Sequence, residues 1–275
     1  MLKIHIYILF IIIILSCGKK SPEDNSLSKI DNSSKNLTKE TQSNFVKVSS
    51  SHSNIDFNNL IVDDISTREN LFDYDFFYNG AGVGIEDINN DGLKDIFFSG
   101  NQVTNKLYLN KGNLVFEDIS ESANINTNKN WSNGVTFVDI NNDGWMDIYV
   151  SQGGPRSKDQ RKNLLYINQK NLTFKEEALK YGLDDHGIST QSAFFDYDKD
   201  GDLDCIVMNE NDYYGVDPVN FYKILNDKEK LKENSSHLYK NVNSKFHDIT
   251  EEAGLLRPTF GLGLCVTDIN NDNFL

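Results

Sequence analysis

The chain is constrained above all by a repeat. Four segments share one pattern: Gly82-Val-Gly-Ile-Glu-Asp-Ile-Asn-Asn-Asp-Gly-Leu-Lys-Asp95, Gly134-Val-Thr-Phe-Val-Asp-Ile-Asn-Asn-Asp-Gly-Trp-Met-Asp147, Ser192-Ala-Phe-Phe-Asp-Tyr-Asp-Lys-Asp-Gly-Asp-Leu-Asp204 and Gly263-Leu-Cys-Val-Thr-Asp-Ile-Asn-Asn-Asp272. Their first aspartates, Asp87, Asp139, Asp196 and Asp268, are 52, 57 and 72 residues apart. Each complete copy runs into an apolar stretch: Ile96-Phe97-Phe98, Ile148-Tyr149-Val150 and Cys205-Ile206-Val207-Met208. A second run follows, at Leu107-Tyr108-Leu109-Asn110, Leu165-Tyr166-Ile167-Asn168 and Leu238-Tyr239-Lys240-Asn241, and Phe116, Phe174 or Phe246 closes the unit.

Each unit therefore reads as four short strands. The first two are joined by the acidic loop and the last two by polar turns such as Lys111-Gly112-Asn113. Four strands in roughly fifty residues, repeated in tandem, match the arithmetic of a β-propeller blade. Three residues before each first Asp stand Gly84, Thr136, Ala193 and Cys265, all small, as the crowded innermost strand of a blade requires. The expected fold is all-β: a partial β-propeller of three four-stranded blades plus the start of a fourth. Cys205 and Cys265 then read as small buried hydrophobes, with pairing between them not favoured.

The acidic loop carries the chemistry. Oxygen-bearing side chains fall at positions 1, 3, 5 and 9, glycine at 6 permits a sharp reversal, and the carbonyl at 7 can turn inward. Calcium takes six to eight hard oxygen ligands, so short carboxylates folded around one centre suit it, whereas magnesium keeps its waters and prefers few protein ligands. An EF-hand needs Glu at position 12 between helices; here that position is Phe98, Val150 or Val207, inside an apolar run. A plain Asx-rich turn would account for one copy, but three copies retaining Asp at position 9 favour a cation.

The N-terminus reads as an address. A short positive start at Met1–Lys3 precedes the apolar run Ile4–Leu15 and then Ser16-Cys17-Gly18. The run has the length of a signal-peptide core. The small residue before Cys17 resembles the lipobox of bacterial lipoproteins, which implies lipidation of Cys17 after removal of residues 1–16. An ordinary secretory signal is the alternative. Residues 17–53 are rich in Ser, Asn, Lys and Asp and read as a flexible tether, with the repeat region at 54–275. The expected location is the bacterial cell envelope, at the outer membrane facing periplasm or exterior, with membrane contact only through the lipid anchor. A formal net charge of −14 argues against nucleic acid, because phosphate recognition needs a cationic face.

The loops and their flanking strands resemble FG-GAP/VCBS repeats, the calcium-loop blades of integrin-alpha-type propellers. Tyr74-Asp75-Phe76-Phe77-Tyr78-Asn79-Gly80-Ala81-Gly82-Val83, with Asn105-Lys106-Leu107-Tyr108-Leu109-Asn110, is similar to the N-terminal part of bacterial ASPIC/UnbV-type proteins, relatives of cartilage acidic protein. The resemblance implies a seven-bladed, calcium-bearing propeller that is exported and used for binding or adhesion, with an unidentified protein or glycan ligand. Carried onto this chain, it implies about three Ca2+ sites. The ligands are Asp87, Asn89, Asp91, the Leu93 carbonyl and Asp95; Asp139, Asn141, Asp143, the Trp145 carbonyl and Asp147; and Asp196, Asp198, Asp200, the Asp202 carbonyl and Asp204. In the fourth copy Asn273 replaces glycine, and no site is assigned there.

No nucleophile–base pair stands in a recognisable context. His186, His237 and His247 read as surface or turn residues, so no catalytic residue is assigned and the chain reads as a non-enzyme. The alternative is the front of a larger carbohydrate-processing enzyme, with carboxylate pairs as acid and base. Asn209–Ser236 is extra length in the third unit and reads as a long inter-strand loop, with a partner-contacting loop as the alternative. Because a propeller closes last blade on first, three blades are expected to leave an apolar face on the third and an unpaired strand at Leu262–Asp268.

Overall fold

The computed structural model describes residues 45–275 apart from 126–127, 213–217 and 273–274. The expected signal peptide, Cys17 and most of the expected tether lie outside the described residues. Lys47–Leu275 forms one compact unit, which the account below concerns.

Three antiparallel four-stranded sheets follow one another along the chain. Blade one holds β1 (Val83–Glu86), β2 (Asp95–Phe98), β3 (Lys106–Asn110) and β4 (Phe116–Asp118). Blade two holds β5 (Ser132–Val138), β6 (Asp147–Gln152), β7 (Leu164–Asn168) and β8 (Phe174–Glu176). Blade three holds β9 (Ile188–Phe195), β10 (Asp204–Glu210), β11 (His237–Val242) and β12 (Lys245–Asp248). In each sheet neighbouring strands are also neighbours in sequence, so each blade is a meander. The chain is a partial β-propeller, with the acidic loops joining the first two strands of each blade as the repeat predicts. The outer hairpins turn as their residues dictate. Between β11 and β12, Asn243 and Ser244 both take positive φ (55° and 62°), the two-residue reversal whose twist matches paired strands.

Apolar layers fill the gaps between blades. Side chains alternate along each strand with a period of two, so a middle blade buries both faces. Ile148, Val150 and Tyr166 of blade two pack with Phe97, Leu107 and Ile119 of blade one. Tyr149, Leu165 and Ile167 point the other way, onto Cys205, Val207 and Phe246 of blade three. All six residues of β6 are buried as a result.

Small residues on the inner strands allow those strands to meet. A Cβ at Gly84 would lie 2.7 Å from Cε2 of Phe137, and one at Gly134 would lie 2.6 Å from the Thr190 carbonyl oxygen. Thr136 instead uses its hydroxyl, donating to the Ser192 carbonyl at 3.0 Å. Cys205 is buried as expected, but Cys265 is exposed and both thiols are free. The correction has a simple cause: residues 261–268 form no strand, so no sheet covers the Cys265 side chain.

The opposite ends of the blades are tied by a segment that the repeat does not foretell. Residues 59–82 cross all three blades. The Asn59 side-chain amide donates to Asn101 Oδ1 (2.6 Å), and the Val62 N–H to Gln102 Oε1 (2.6 Å), both just beyond β2. Glu69 pairs with Arg156 after β6. The Tyr74 hydroxyl donates to Glu210 of β10 (3.1 Å), and Arg68 pairs with Asp212 (2.8 Å). Tyr74 and Phe77 bury themselves against Trp131 and Ile188 in a separate apolar cluster. Gly154, at φ 68°, leaves room for that indole: a Cβ there would sit 2.2 Å from Trp131 Cγ.

Two further expectations change. The extra length in blade three is not a plain loop. Asn209 and Glu210 belong to β10, and two helices follow. After the single turns α1 (Ser50–Ser53) and α2 (Ala178–Tyr181), these are α3 (Pro218–Leu225) and α4 (Lys228–Glu233). Asp227 caps α4 by accepting from the Lys230 N–H at 3.2 Å. The outer face of blade three is also partly covered. The backbone at Gly261 runs against Met208, Phe260 bridges to Glu210, and Met208 and Leu238 are buried. The more open apolar face is that of blade one, where Val83 and Ile85 are 55% and 58% exposed. Leu262–Asp268, expected as an unpaired strand, forms no strand.

Candidate metal centres

The three complete loops fold alike. In the first, Asp87 Oδ1 accepts from the Asp91 N–H (3.2 Å) and Oδ2 from the Gly92 N–H (2.7 Å), while Asp91 Oδ1 accepts from the Leu93 N–H (2.8 Å). In the second, Asp139 takes the N–H groups of Asp143 (2.9 Å) and Gly144 (2.8 Å), and Asp143 that of Trp145 (3.0 Å). In the third, Asp196 takes those of Asp200 and Gly201 (both 3.1 Å), and Asp200 that of Asp202 (3.0 Å). Each loop thus winds its backbone around its first carboxylate. The fourth copy repeats the opening: Asp268 accepts from the Asp272 N–H at 3.2 Å.

Two left-handed residues make this winding possible. Position 6 is glycine, with φ of 85°, 82° and 92° at Gly92, Gly144 and Gly201. Position 4 is left-handed too, at Asn90 (58°), Asn142 (53°) and Lys199 (62°). Asparagine tolerates that region well, and its presence twice at position 4 is a signal that the loop motif alone passes over. Lysine there carries a steric cost, which makes the third loop the most strained of the three.

The position-9 aspartates behave differently from the rest. Asp95, Asp147 and Asp204 are fully buried. Each spans two elements, accepting one N–H from its own loop and one from the third strand of its blade: Ile88 and Asn110, Ile140 and Asn168, Tyr197 and Asn241, at 2.7–3.2 Å. Burial pushes the Asp147 carboxyl up to about 7, against those two N–H groups and with help from the nearby charges of Asp143 and Asp139. Asp95 and Asp204 are raised, again chiefly by burial. At Asp87 partial burial is outweighed by the ring of backbone N–H groups, and its carboxyl is lowered. The loop therefore gathers negative charge that its own backbone only partly balances.

The third loop fits a divalent cation best. Carboxylate oxygens of Asp196, Asp198 and Asp204 lie within 4.8 Å of one another, the one such group of acidic side chains among the described residues. Asp198 Oδ1 is buried without a hydrogen-bond partner, an acceptor that a cation would satisfy. In the first two loops Asn89 and Asn141 take position 3, so only three carboxylates are available in each. The predicted carboxylates of the first two loops form no group as close as this among the described residues, and in the third loop Asp200 stands outside it. Leu93, Trp145 and Asp202 sit on the return, where their N–H groups fix the position-5 carboxylate.

Lysines, which the loop motif does not foretell, lie on this charge. Lys240 of β11 pairs with Asp198 and approaches Asp200 at 3.7 Å, and Lys170 approaches Asp143 at 3.3 Å. Lys240 lies 42 residues from Asp198 along the chain, and only the packing of β11 beside β10 carries it to the loop.

The family model for FG-GAP-like repeats matches residues 87–150, which run from the first loop into β6. That stretch is similar to an FG-GAP-like repeat. Cartilage acidic protein 1 of Xenopus tropicalis is 25% identical over 231 residues, 84% of this chain and 32% of that protein. Cartilage acidic protein 1 of Mus musculus is 35% identical over 77 residues, 28% of this chain and 12% of that protein. The chain thus spans about a third or less of the length of these relatives. The FG-GAP repeats, on a partial propeller, point to a module of the binding or adhesion type.

The far end of the blades holds a buried ionic group that corrects one sequence reading. His237, expected at the surface, is buried. Its Nδ1 lies 2.5 Å from Asp185 Oδ2 and its Nε2 2.7 Å from the Lys232 carbonyl oxygen. Both partners are acceptors, so both ring nitrogens donate and the imidazole is held as a cation. Burial alone would lower the His237 pKa, but the Asp185 charge and hydrogen bond raise it to about 9. Burial would raise Asp185, but His237 holds it down at about 2, with help from the Tyr239 hydroxyl donating at 2.7 Å. Both nitrogens of the imidazole are committed, which marks a structural ion pair rather than a base.

Proposed function

We propose that this chain is an exported, calcium-stabilised β-propeller module that binds a ligand at the cell surface and performs no chemistry of its own. The observation that carries the calcium reading is the third loop, where the carboxylates of Asp196, Asp198 and Asp204 converge and one oxygen of Asp198 has no hydrogen-bond partner. The same winding in the first two loops extends the reading to Asp87–Asp95 and Asp139–Asp147. Oxygen-only donors in a flexible loop suit calcium rather than a metal that prefers nitrogen or sulfur. Isothermal titration of the chelator-treated full chain with CaCl2 should reveal about three sites. Absence of any binding heat, with melts superimposed in calcium and in chelator, overturns the assignment.

The binding-module reading rests on the repeats and on the commitment of the conspicuous carboxylates to the loops. The proposed location is the bacterial cell envelope, by way of lipidated Cys17 and the segment behind it. Palmitate labelling of expressing cells should be lost in Cys17→Ser; a variant that stays labelled excludes that anchor.

A further inference from the structure

The first two acidic loops, on neighbouring blades, are joined directly to one another. Asn90, at position 4 of the first loop, donates from Nδ2 to the carbonyl of Gly144, at position 6 of the second (3.0 Å). The peptide that carries this carbonyl gives its N–H, that of Trp145, to Asp143 Oδ1 (3.0 Å). One peptide unit thus links a side chain of the first loop to a proposed ligand of the second.

Asn168, at the end of β7, makes a second link. Its Nδ2 donates to two carbonyls, Ile88 in the first loop (2.8 Å) and Met146 in the second (3.1 Å). Its Oδ1 accepts from the Lys170 N–H (2.9 Å), so the orientation of this buried amide is fixed by its partners. The backbone N–H of Asn168 holds Asp147 Oδ1 (2.7 Å), and that of Ile88 holds Asp95 Oδ2 (3.0 Å). Both position-9 aspartates are therefore held by groups that one side chain ties together.

Neither link recurs at the third loop. Asn142 stands in the second loop where Asn90 stands in the first, but it is exposed, and among the described residues no hydrogen bond joins it to the third. Asn241, the counterpart of Asn168, reaches only its own loop, at the Leu203 carbonyl (3.1 Å), and its Oδ1 is buried without a partner. The carboxylates differ as well. Three of the third loop already converge, whereas those of the first two do not. An ion must draw each of these two loops in, and the bridging bonds make that a shared movement.

We infer that the first two loops bind calcium cooperatively, as a pair coupled through Asn90 and Asn168, and that the third takes no part in the pair. The inference rests on the calcium reading and adds its regulation. Ordering one loop around an ion fixes the Gly144 peptide or the Ile88 carbonyl that the other shares. The second ion then meets a loop that has already lost part of its conformational freedom. Filling one loop also removes negative charge that would attract the next ion. That opposing effect acts through solvent between largely exposed groups and is screened over about 8 Å at physiological ionic strength, whereas the bridges are direct contacts.

The test is calorimetric titration of the full chain with CaCl2, in a background of Asp200→Ala to disable the third site. The two remaining sites should titrate with a Hill coefficient above unity. Adding Asp91→Ala, which disables the first site, should weaken the second at least about fivefold, and Asp143→Ala should weaken the first by the same factor, because coupling is reciprocal. Asn90→Gly removes the bridging amide while leaving the left-handed backbone accessible, at an exposed position. In that variant Asp91→Ala should weaken the second site clearly less, and less again once Asn168→Ala is added. The lost charge of Asp91 acts equally in every background, so the difference isolates the bridges. With Asp200 intact, the third site should bind equally tightly whether or not the other two are disabled by Asp91→Ala and Asp143→Ala. A Hill coefficient of unity or below, a second site that Asp91→Ala leaves unchanged or tightens, or coupling that is undiminished in Asn90→Gly overturns the inference. Calcium bound at all three loops without coupling sinks the pairing and spares the calcium reading. No binding heat, with melts superimposed in calcium and chelator, overturns both.

Discussion

The two ends of the blades are built on opposite principles. At the loop end, one local solution appears three times: a carboxylate wrapped by its own backbone, two left-handed residues, and a buried aspartate that reaches across to the third strand. At the far end a polar contact ahead of each third strand repeats (Gly100 N–H to Asn105, Gln152 N–H to Asn163, Asn209 N–H to Ser236), but the larger connections do not. The strap at 59–82, the β6–β7 connection and the helical insertion each meet the blades in their own way, through ion pairs and a single aromatic cluster. The loop end concentrates like charges and leaves them partly unbalanced. The far end pairs most of its charges closely, with Arg161 and Asp212 farther apart at 3.8 Å. The first end suits the proposed cation, whereas the second is held together by ion pairs.

Calcium gives the largest effect expected to separate the two ends. Three ions at two charges each would take the formal charge from −14 to −8. At a concentration a hundredfold above the dissociation constant, each independent site adds roughly 2.7 kcal/mol of stability. Thermal melts in calcium and in chelator should differ by many degrees, and the gain should be the same in Arg161→Met, whose substitution lies at the other end. A calcium gain that vanishes in Arg161→Met would show that the ends are coupled.

A smaller effect belongs to the far end, and it is set by pH. The folded His237 pKa is about 9, raised from 6.5, so its contribution is fully present below pH 6.5 and is lost as pH rises through 9. Asp185 is lowered to about 2 from 3.8, so its contribution is present above 3.8 and lost as pH falls through 2. Urea melts at pH 6 and pH 9.5 should therefore show a fall in stability with rising pH that is reduced in His237→Asn. Saturating calcium should leave the difference between parent and variant unchanged. If calcium removes it, or if the variant keeps the full slope, the ion pair is not a separate support of the far end.

The smallest effect lies within the loop end. Lys240 occupies part of the charge that a cation would take in the third loop. Lys240→Ala should tighten one of the three calcium sites by a few-fold, as expected for a partly exposed ion pair worth about 1 kcal/mol or less. Lys170→Ala should do the same more weakly at the second loop, where the contact is a single one at 3.3 Å. Unchanged or weakened calcium binding in Lys240→Ala would mean that the lysine orders the loop rather than competing for it.

The sequence by itself determined the repeat, the strand order within each blade, the inner-strand small residues and the loop side chains. These are local facts. A period-two apolar run specifies a strand, glycine at position 6 specifies a reversal, and Gly84 marks where two strands come close, all within a few residues of chain. Asn90 and Asn142 at position 4 are legible in the same way, through the left-handed preference of asparagine.

Tertiary structure decided what depends on residues far apart in the chain. His237 lies 52 residues from Asp185, Arg68 lies 144 from Asp212, and Tyr74 lies 136 from Glu210. No spacing rule connects such pairs, because the distance between them is set by blade packing and not by strand or turn geometry. Cys265 shows the converse: its small side chain has the sequence of a buried inner-strand position, yet it is exposed, because burial comes from the neighbouring sheet and not from the residue itself.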